Sequence, residues 1–519
     1  MSGDAPKAIE GLAVEKGPNP EKSAEEETPR DPNIVDFNGP RTPPQLTTTI
    51  VIVSLTALLS SLYPKSHHPT TPPKLILFPA STRPIGSTIS AAAAADIMHH
   101  FNTTNATLGA LMTTIYLLGY AFGPLLIAPL SELHGRAPVF RACAALFALF
   151  NAACAVAPSF GSLIAFRLLA GVAGSCAGTL GASAIADMVP RERRGRVMSA
   201  YIMGPTLGPT IGPIIGGNLT AAAGWRWDFW VMTIAAGVMA VCVLLFLHES
   251  YPYAILKRKT ARLRKSTGNE GLRSALDTSK TPAQLFKFAI LRPPKMLVSP
   301  IIFLMSAYAA TVFSYAYLCF TTFPRIFKDQ YGFGSGASGL TSIGIGVGFI
   351  LGLLFVGAVS DPWSAYLTKK NDGVAKPEFR LPTLVIGAVF VPVGLFWYGW
   401  SAEYKAHWIV PIMGTALLGI GIVTAYVARL TFHLRTTTAT YLIDAYTVYS
   451  ASVMAASAIL RCLFGALLPL AGSAMFGALG VGWGNSVLGF ISLAFLPLPF
   501  ILFFYGERIR ESKLFKMEF

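Results

Sequence analysis

The chain has 519 residues, 53% of them hydrophobic and 13% charged, with a mean hydropathy of +0.53 and a formal net charge of +15. Its apolar residues fall into long runs separated by short charged pieces, which excludes a soluble globular enzyme and points to a polytopic protein embedded in a lipid bilayer. The basic balance calls for no nucleic-acid partner, because it is carried by loops between apolar runs, where membrane topology accounts for it.

Residues 1–46 are rich in Glu, Pro, Lys and Ser, with nine acidic against five basic residues and no apolar period. They read as a disordered cytoplasmic tail and not as a signal peptide. Twelve candidate spans follow, at about 47–62, 107–130, 138–158, 161–188, 197–222, 228–248, 296–321, 337–360, 381–402, 405–428, 443–470 and 483–506. The expected architecture is therefore all-α, with twelve transmembrane helices in two six-helix halves, 47–248 and 296–506, around a central cavity. A basic cytoplasmic linker, 249–295, joins the halves, and 507–519 form a cytoplasmic tail.

Loops on one side carry Arg136, Arg141, Arg191, Arg193, Arg194, Arg196, Lys257, Arg258, Lys369, Lys370, Arg508 and Arg510, whereas the alternate loops are nearly bare. That asymmetry puts both termini in the cytoplasm. The sequons at Asn102 and Asn105 fall in a loop that this topology places outside, where both are glycosylation candidates. All six cysteines lie singly in expected spans without ligand spacing, so no disulfide or metal site is expected. No catalytic triad, phosphate loop or other cofactor motif stands in the chain, so an enzyme is not expected and a gradient, not ATP, would supply energy.

Span five holds an unusual run, Gly204-Pro-Thr-Leu-Gly-Pro-Thr-Ile-Gly-Pro-Ile-Ile-Gly-Gly217. Gly204, Gly208, Gly212 and Gly216 recur every fourth residue and so lie along one helix face at about 3.6 residues per turn. Such a groove lets a neighbouring helix approach closely. Span eight offers a matching row in Gly344, Gly348 and Gly352, and is the expected neighbour. Pro209 and Pro213 lack the N–H that would bond the carbonyls of Pro205 and Pro209, so a kink is expected and those carbonyls need another donor. Thr206 and Thr210 stand nearby.

The run Gly204–Gly217 resembles the span-five antiporter motif of the major facilitator superfamily. Pro129-Leu-Ser-Glu-Leu-His-Gly-Arg136 is similar to that family's motif between spans two and three, in the form used by fungal twelve-span drug:proton antiporters. Arg167-Leu-Leu-Ala-Gly171 is similar to the span-four motif. Asp187–Gly195, Thr321–Pro324, Pro377–Pro382, Tyr441–Tyr446 and Gly482–Asn485 are also like that branch. The resemblance implies proton-driven export of small organic compounds by alternating access, with a monomer in a fungal plasma membrane as the expected unit. Three departures accompany it. Arg136 is followed by Ala137, not a second arginine; residues 61–78 interrupt span one; and 426–439 lie between span ten and the Tyr441 motif. The last two are either real loops or retained untranslated sequence.

Glu132, Gly135 and Arg136 form a candidate cytoplasmic gate, with Asp361 as the matching acid of the second half. Arg167 and Arg461 lie inside spans, where an arginine faces a pathway or bonds carbonyls as a structural element. Asp187 and Asp444 stand at helix ends as gate partners or plain terminal residues. No carboxylate is expected at mid-membrane, so the proton carrier is not identified; Arg167, Asp187, Asp444 and Arg461 are candidates for a proton or substrate pathway. Tyr116, Tyr120, Tyr201, Tyr308, Tyr315 and Tyr317 are candidates to line a pocket for an apolar, ring-containing substrate. Uptake of a polyamine or nutrient, bidirectional transport, and a non-transporting decayed copy are the alternative functions.

Overall fold

A computed structural model of the protein describes residues 34–35, 83–188, 191–275, 290–371, 381–426, 450–501 and 503–504. The expected first span at 47–62, segment 61–78, nearly all of 426–439, Asp444 and the tail 507–519 lie outside these residues.

The small two-residue strands β1 (Ile34–Val35) and β2 (Arg273–Ser274) pair in parallel, Ile34 opposite Arg273 and Val35 opposite Ser274. They belong to a minor unit of residues 1–41 and 255–278. Within it the Arg264 guanidinium donates twice to the Leu272 carbonyl, at 2.9 and 2.7 Å.

The major unit is a helical bundle. Its described helices are α1 (Ala94–His100), α2 (Ala106–His134), α3 (Arg136–Ala155), α4 (Phe160–Met188), α5 (Arg191–Ala223), α6 (Arg226–Phe246), α7 (Pro252–Thr267, which crosses into the minor unit), α8 (Pro300–Tyr331), α9 (Ser335–Leu340), α10 (Ile343–Lys370), α11 (Leu381–Glu403), α12 (Ile409–Tyr426) and α13 (Ser450–Phe495). Within α13 the backbone breaks at Gly480, whose φ of 76° is left-handed and so suits a residue without Cβ. Glu403 accepts from the Val481 and Gly482 amides at 2.8 and 3.0 Å, capping the helix that restarts there.

Among the described residues, eight helices are long and apolar enough to cross a membrane. α5 is outside that set because Gly, Pro and Thr dilute its hydropathy. The helices nonetheless divide their surfaces as lipid requires. On α6, Phe229, Met232, Ala236, Met239 and Val243 are buried at helical spacing, while Ile234, Val238, Val241, Leu244 and Leu245 are more than half exposed. A band of exposed aliphatic side chains that is untenable in water is an ordinary lipid-facing surface in a bilayer. The opposite case is α8, where Met305, Tyr308, Val312, Tyr315 and Phe323 are buried together with Tyr398, Leu418, Ala456 and Leu488 from α11, α12 and α13.

One segment escaped the span pattern. Residues 83–88 are helical, 89–93 turn, and α1 continues to His100, with Ile89, Ala91, Ala92, Ala93 and Ile97 buried. Small and hydroxylated residues interrupted by Arg83 and Pro84 give this stretch low hydropathy, although it packs as deeply as the apolar spans.

Candidate functional site

Gly212 and Gly216 of the α5 row do not face the row on α10. A Cβ on Gly212 would press on Thr88 and the Ile85 carbonyl, and one on Gly216 would overlap the Ile89 carbonyl, so this face receives the broken segment 83–93. Gly344, Gly348 and Gly352 instead accommodate Ile412, Thr415, Ala416, Gly419 and Ile420 of α12. The expected row-on-row contact is corrected at Gly212 and Gly216, which face segment 83–93, while spans five and eight remain neighbours through other residues. What α5 shares with the span-eight region is Gly217 against Gly339 and the Ser335 carbonyl, together with Thr210 against Gly346.

The Pro209 carbonyl has a specific partner. Pro213 lacks the N–H that would bond the Pro209 carbonyl, and the Thr88 hydroxyl donates to that carbonyl at 2.7 Å. α5 remains helical through Pro205, Pro209 and Pro213. Thr210, next to the proline, is buried with its hydroxyl unpartnered among the described residues.

Arg167 organises the centre of this region. It is 1% exposed, and its Nε, Nη1 and Nη2 donate to the carbonyls of Met112, Gly86 and Ser87 at 3.0, 3.0 and 3.1 Å. The Ala91 amide bonds Thr88 instead of Ser87, so the break in the helix leaves the Ser87 carbonyl to be met from outside its own segment. Arg167 reaches α2 because Gly119 and Gly171 admit the neighbouring backbone where any Cβ would collide. Its guanidinium lies 5.5 Å from the Tyr116 ring centre and 5.7 Å from that of Phe229.

Beside it stands a carboxylate missed by the sequence reading. Asp228, in the first turn of α6, is 0% exposed; its Oδ2 accepts from the Thr220 hydroxyl at 3.0 Å and its Oδ1 has no hydrogen-bond partner among the described residues. Arg167 and Asp96 lie within its electrostatic reach. Asp96 accepts from Ser335 at 2.8 Å. The only signal in the sequence is one acid inside Trp225-Arg-Trp-Asp-Phe-Trp230, at the edge of an expected span.

The remaining predicted residues divide as follows. Tyr116, Tyr201, Tyr308, Tyr315 and Tyr317 are buried, and hydroxyl contacts anchor four of them: Tyr116 to the Arg83 carbonyl, Tyr201 to the Ala177 carbonyl, Tyr315 to the Leu488 carbonyl, and Tyr317 beside Ser87 at 3.1 Å. They are packing residues in this conformation, and Tyr120, half-buried and 6.4 Å from Tyr116 ring to ring, is the accessible member. Arg461 is half-buried over Phe313 at 5.0 Å, and Phe313 in turn packs against Tyr317. Asn102 and Asn105 are exposed, and Asn105 caps α2 through its side chain to the Thr107 amide at 2.9 Å. Cys143 and Cys176, distant in sequence, place their thiols against each other between α3 and α4.

At the other end of α2, Gly135 turns the chain with φ 98°, and Arg136 starts α3. The Arg136 amide donates to Glu249 at 2.8 Å, its guanidinium donates to Ser183, and that guanidinium stands 5.2 Å from the Tyr251 ring centre. Arg136 and Arg292 lie within electrostatic reach of Glu132. Glu249 and Arg292 thus stand beside Arg136 and Glu132, and no local pattern in the sequence points to either. Asp187 and Asp361 lie on α4 and α10, but their side chains, like all of Asp444, are outside the described residues.

A profile of the Major Facilitator Superfamily matches residues 80–469. The chain is 48% identical to the MFS-type transporter penM of Penicillium rubens over 98% of its own length and 96% of that protein's. It is 40% identical to the efflux pump radE of Floropilus chiversii over 95% of its own length and 87% of that protein's. Among solved structures, the D-xylose-proton symporter superposes with a TM-score of 0.60 at 14% identity, covering 82% of this chain and 96% of that one, a likeness of fold alone. The chain belongs to the Major Facilitator Superfamily, in its fungal efflux-type branch.

Proposed function

We propose that the protein exports small hydrophobic or amphipathic organic compounds in exchange for protons, by alternating access, as a monomer in a fungal plasma membrane with both termini in the cytoplasm. The observation that carries this reading is the chemistry of the contacts between the helices before residue 250 and those after 296. At the Asn105 end these are single polar contacts and small-residue contacts: Thr107 beside Ser473 at 3.4 Å, Asp96 with Ser335, and Gly217 against Gly339. Deeper in the bundle, Ser87 meets Tyr317, and Leu117 packs with Tyr317 and Ala466. A seal of this kind separates at modest cost, because a neutral hydrogen bond such as that between Thr107 and Ser473 contributes only about 1 kcal/mol, the one from Ser335 to the Asp96 carboxyl group up to about 3 kcal/mol, and both are replaced by water on opening.

The Asn105 end is then extracellular, in keeping with two exposed sequons, and the Arg136 end is cytoplasmic. Efflux of an amphipathic compound is supported further by the efflux-pump name of a relative, radE, at 40% identity. The test is export of a panel of toxic organic compounds from transporter-deficient yeast expressing the chain. Export should continue when ATP is depleted with the proton gradient clamped, and should collapse when the gradient alone is dissipated. An efflux rate that follows ATP under a clamped gradient refutes proton exchange.

A further inference from the structure

We propose that Asp228 binds the external proton whose uptake lets the Asn105 end of the bundle seal. The inference deepens, and rests on, the proton-exchange reading. Asp228 has no solvent exposure, one hydrogen bond from Thr220, and an Oδ1 without a partner among the described residues. The charge nearest to hand does not complete it: the three donor nitrogens of Arg167 are directed to the carbonyls of Met112, Gly86 and Ser87. An ionised carboxylate enclosed with so few donors is costly, and taking up a proton removes that cost.

The groups facing Asp228 from its neighbours fit a titrating site. From α4 comes Arg167, and from α1 comes Asp96, a second acid that penalises negative charge on the first. From α5 comes the neutral Thr220, and Cys154 of α3 faces Arg167. At the rim, Arg226 meets His100 at 3.3 Å, and the His100 ring lies 5.6 Å from Trp225.

Location links this carboxyl to the seal. Thr220 follows Gly217 by three residues on α5, and Gly217 is the residue that meets Ser335 and Gly339. Asp96 is bonded to the same Ser335. With the end apart, water solvates Asp228 as a carboxylate; closing strips that water away, and a proton taken from the external solution onto Oδ1 replaces it. Only that O–H bond is made, and on release the proton returns to water. Sealing and proton binding are therefore linked: acid pH favours the sealed end, and sealing raises proton affinity.

The experiment places spin labels at Ala222→Cys and Lys328→Cys, exposed positions near the ends of α5 and α8, in full-length protein reconstituted in lipid nanodiscs. Distances are recorded while the pH is lowered from about 8 to about 5, a range that spans shifted carboxyl titrations. The wild type should move from longer to shorter distances on acidification. Asp228→Asn, which keeps the shape and cannot ionise, should stay short throughout, and Asp228→Glu should keep the transition with a displaced midpoint. A wild type without a pH-dependent transition overturns the proposal, as does an Asp228→Asn protein that retains the wild-type transition. If Asp228→Asn does not insert, an Asp228→Glu midpoint identical to wild type overturns it instead. Should the titration appear as described while cellular efflux ignores the proton gradient, the exchange reading fails and the assignment of Asp228 stands.

Discussion

At the Asn105 end of the bundle, helices distant in sequence meet through glycines and lone hydroxyls, with two acids close by; at the Arg136 end, the contacts are charged. The first set is Gly217 with Gly339, Thr107 with Ser473, Asp96 with Ser335, and buried Asp228 behind them. The second is Glu249 on the α3 amides, Arg136 on Ser183 and over Tyr251, and Glu132 near Arg136 and Arg292. Close small-residue packing permits a seal that is tight and easily parted. Charge-assisted contacts hold a local turn in one shape and weaken with salt. The two ends therefore need not open by the same chemistry: on the proposed reading, one answers to proton occupancy and steric fit, the other to ionic contacts.

The largest effect is expected at the glycines of the Asn105 end. Gly216→Leu would drive a side chain into the Ile89 carbonyl. Overpacking of this kind costs about 1–3 kcal/mol or more, and export should be abolished with reduced folded protein in a fractionation assay. Leu at this position with unchanged export would remove the packing argument.

Next in size is Arg167→Lys. One ammonium cannot span the carbonyls of Met112, Gly86 and Ser87 together. Losing two hydrogen bonds from a charged donor costs about 3 kcal/mol or more, so thermal stability in detergent and export should both fall by a wide margin. A Lys variant as stable as wild type would mean that Arg167 does not hold the broken segment.

A smaller effect is expected for Thr88→Val, which leaves the Pro209 carbonyl without its donor. A loss of about 1 kcal/mol should appear as a modest fall in melting temperature with export retained. At the charged end, Glu249→Gln keeps the shape of the cap on α3 and removes its charge. The expected cost is about 0.5–1 kcal/mol, and the effect of added salt on stability should shrink relative to wild type. An unaltered salt response would show that the two ends are less different than their contacts imply.

Much of this arrangement was legible in the chain. Apolar runs overlap α2 to α6, α8 and α10 to α12, because a bilayer demands length and hydropathy together. However, α8 reaches Tyr331 where about 321 is expected, α10 reaches Lys370 where about 360 is expected, and α13 covers the ground of two expected spans. The need of the Pro209 carbonyl for an outside donor was also legible, since it follows from one missing N–H. The donor itself was not: Thr88 sits in a stretch of Ser, Thr, Gly and Ala too polar to register as a span. The glycine period marks α5 as a docking face, but at Gly212 and Gly216 the occupant is segment 83–93 and not the α10 row, because periodicity shows that a face is smooth and not what lies on it. Asp228 was overlooked for a related reason. Its burial is made by Thr220, Arg167 and α1, and no local pattern reports such convergence. The Cys143 and Cys176 pair is the same lesson on a smaller scale, two singletons brought together by helix packing.

The claim at the centre of this account is that the Asn105 end must part and reseal in every cycle. Thr107→Cys with Ser473→Cys, at hydroxyls 3.4 Å apart, places two thiols across that end for cross-linking in membranes. Export should stop when the pair is linked and recover when a reductant releases it, while each single cysteine exports as before under the same oxidant. A linked protein that exports at the rate of the unlinked one would contradict alternating access through this end.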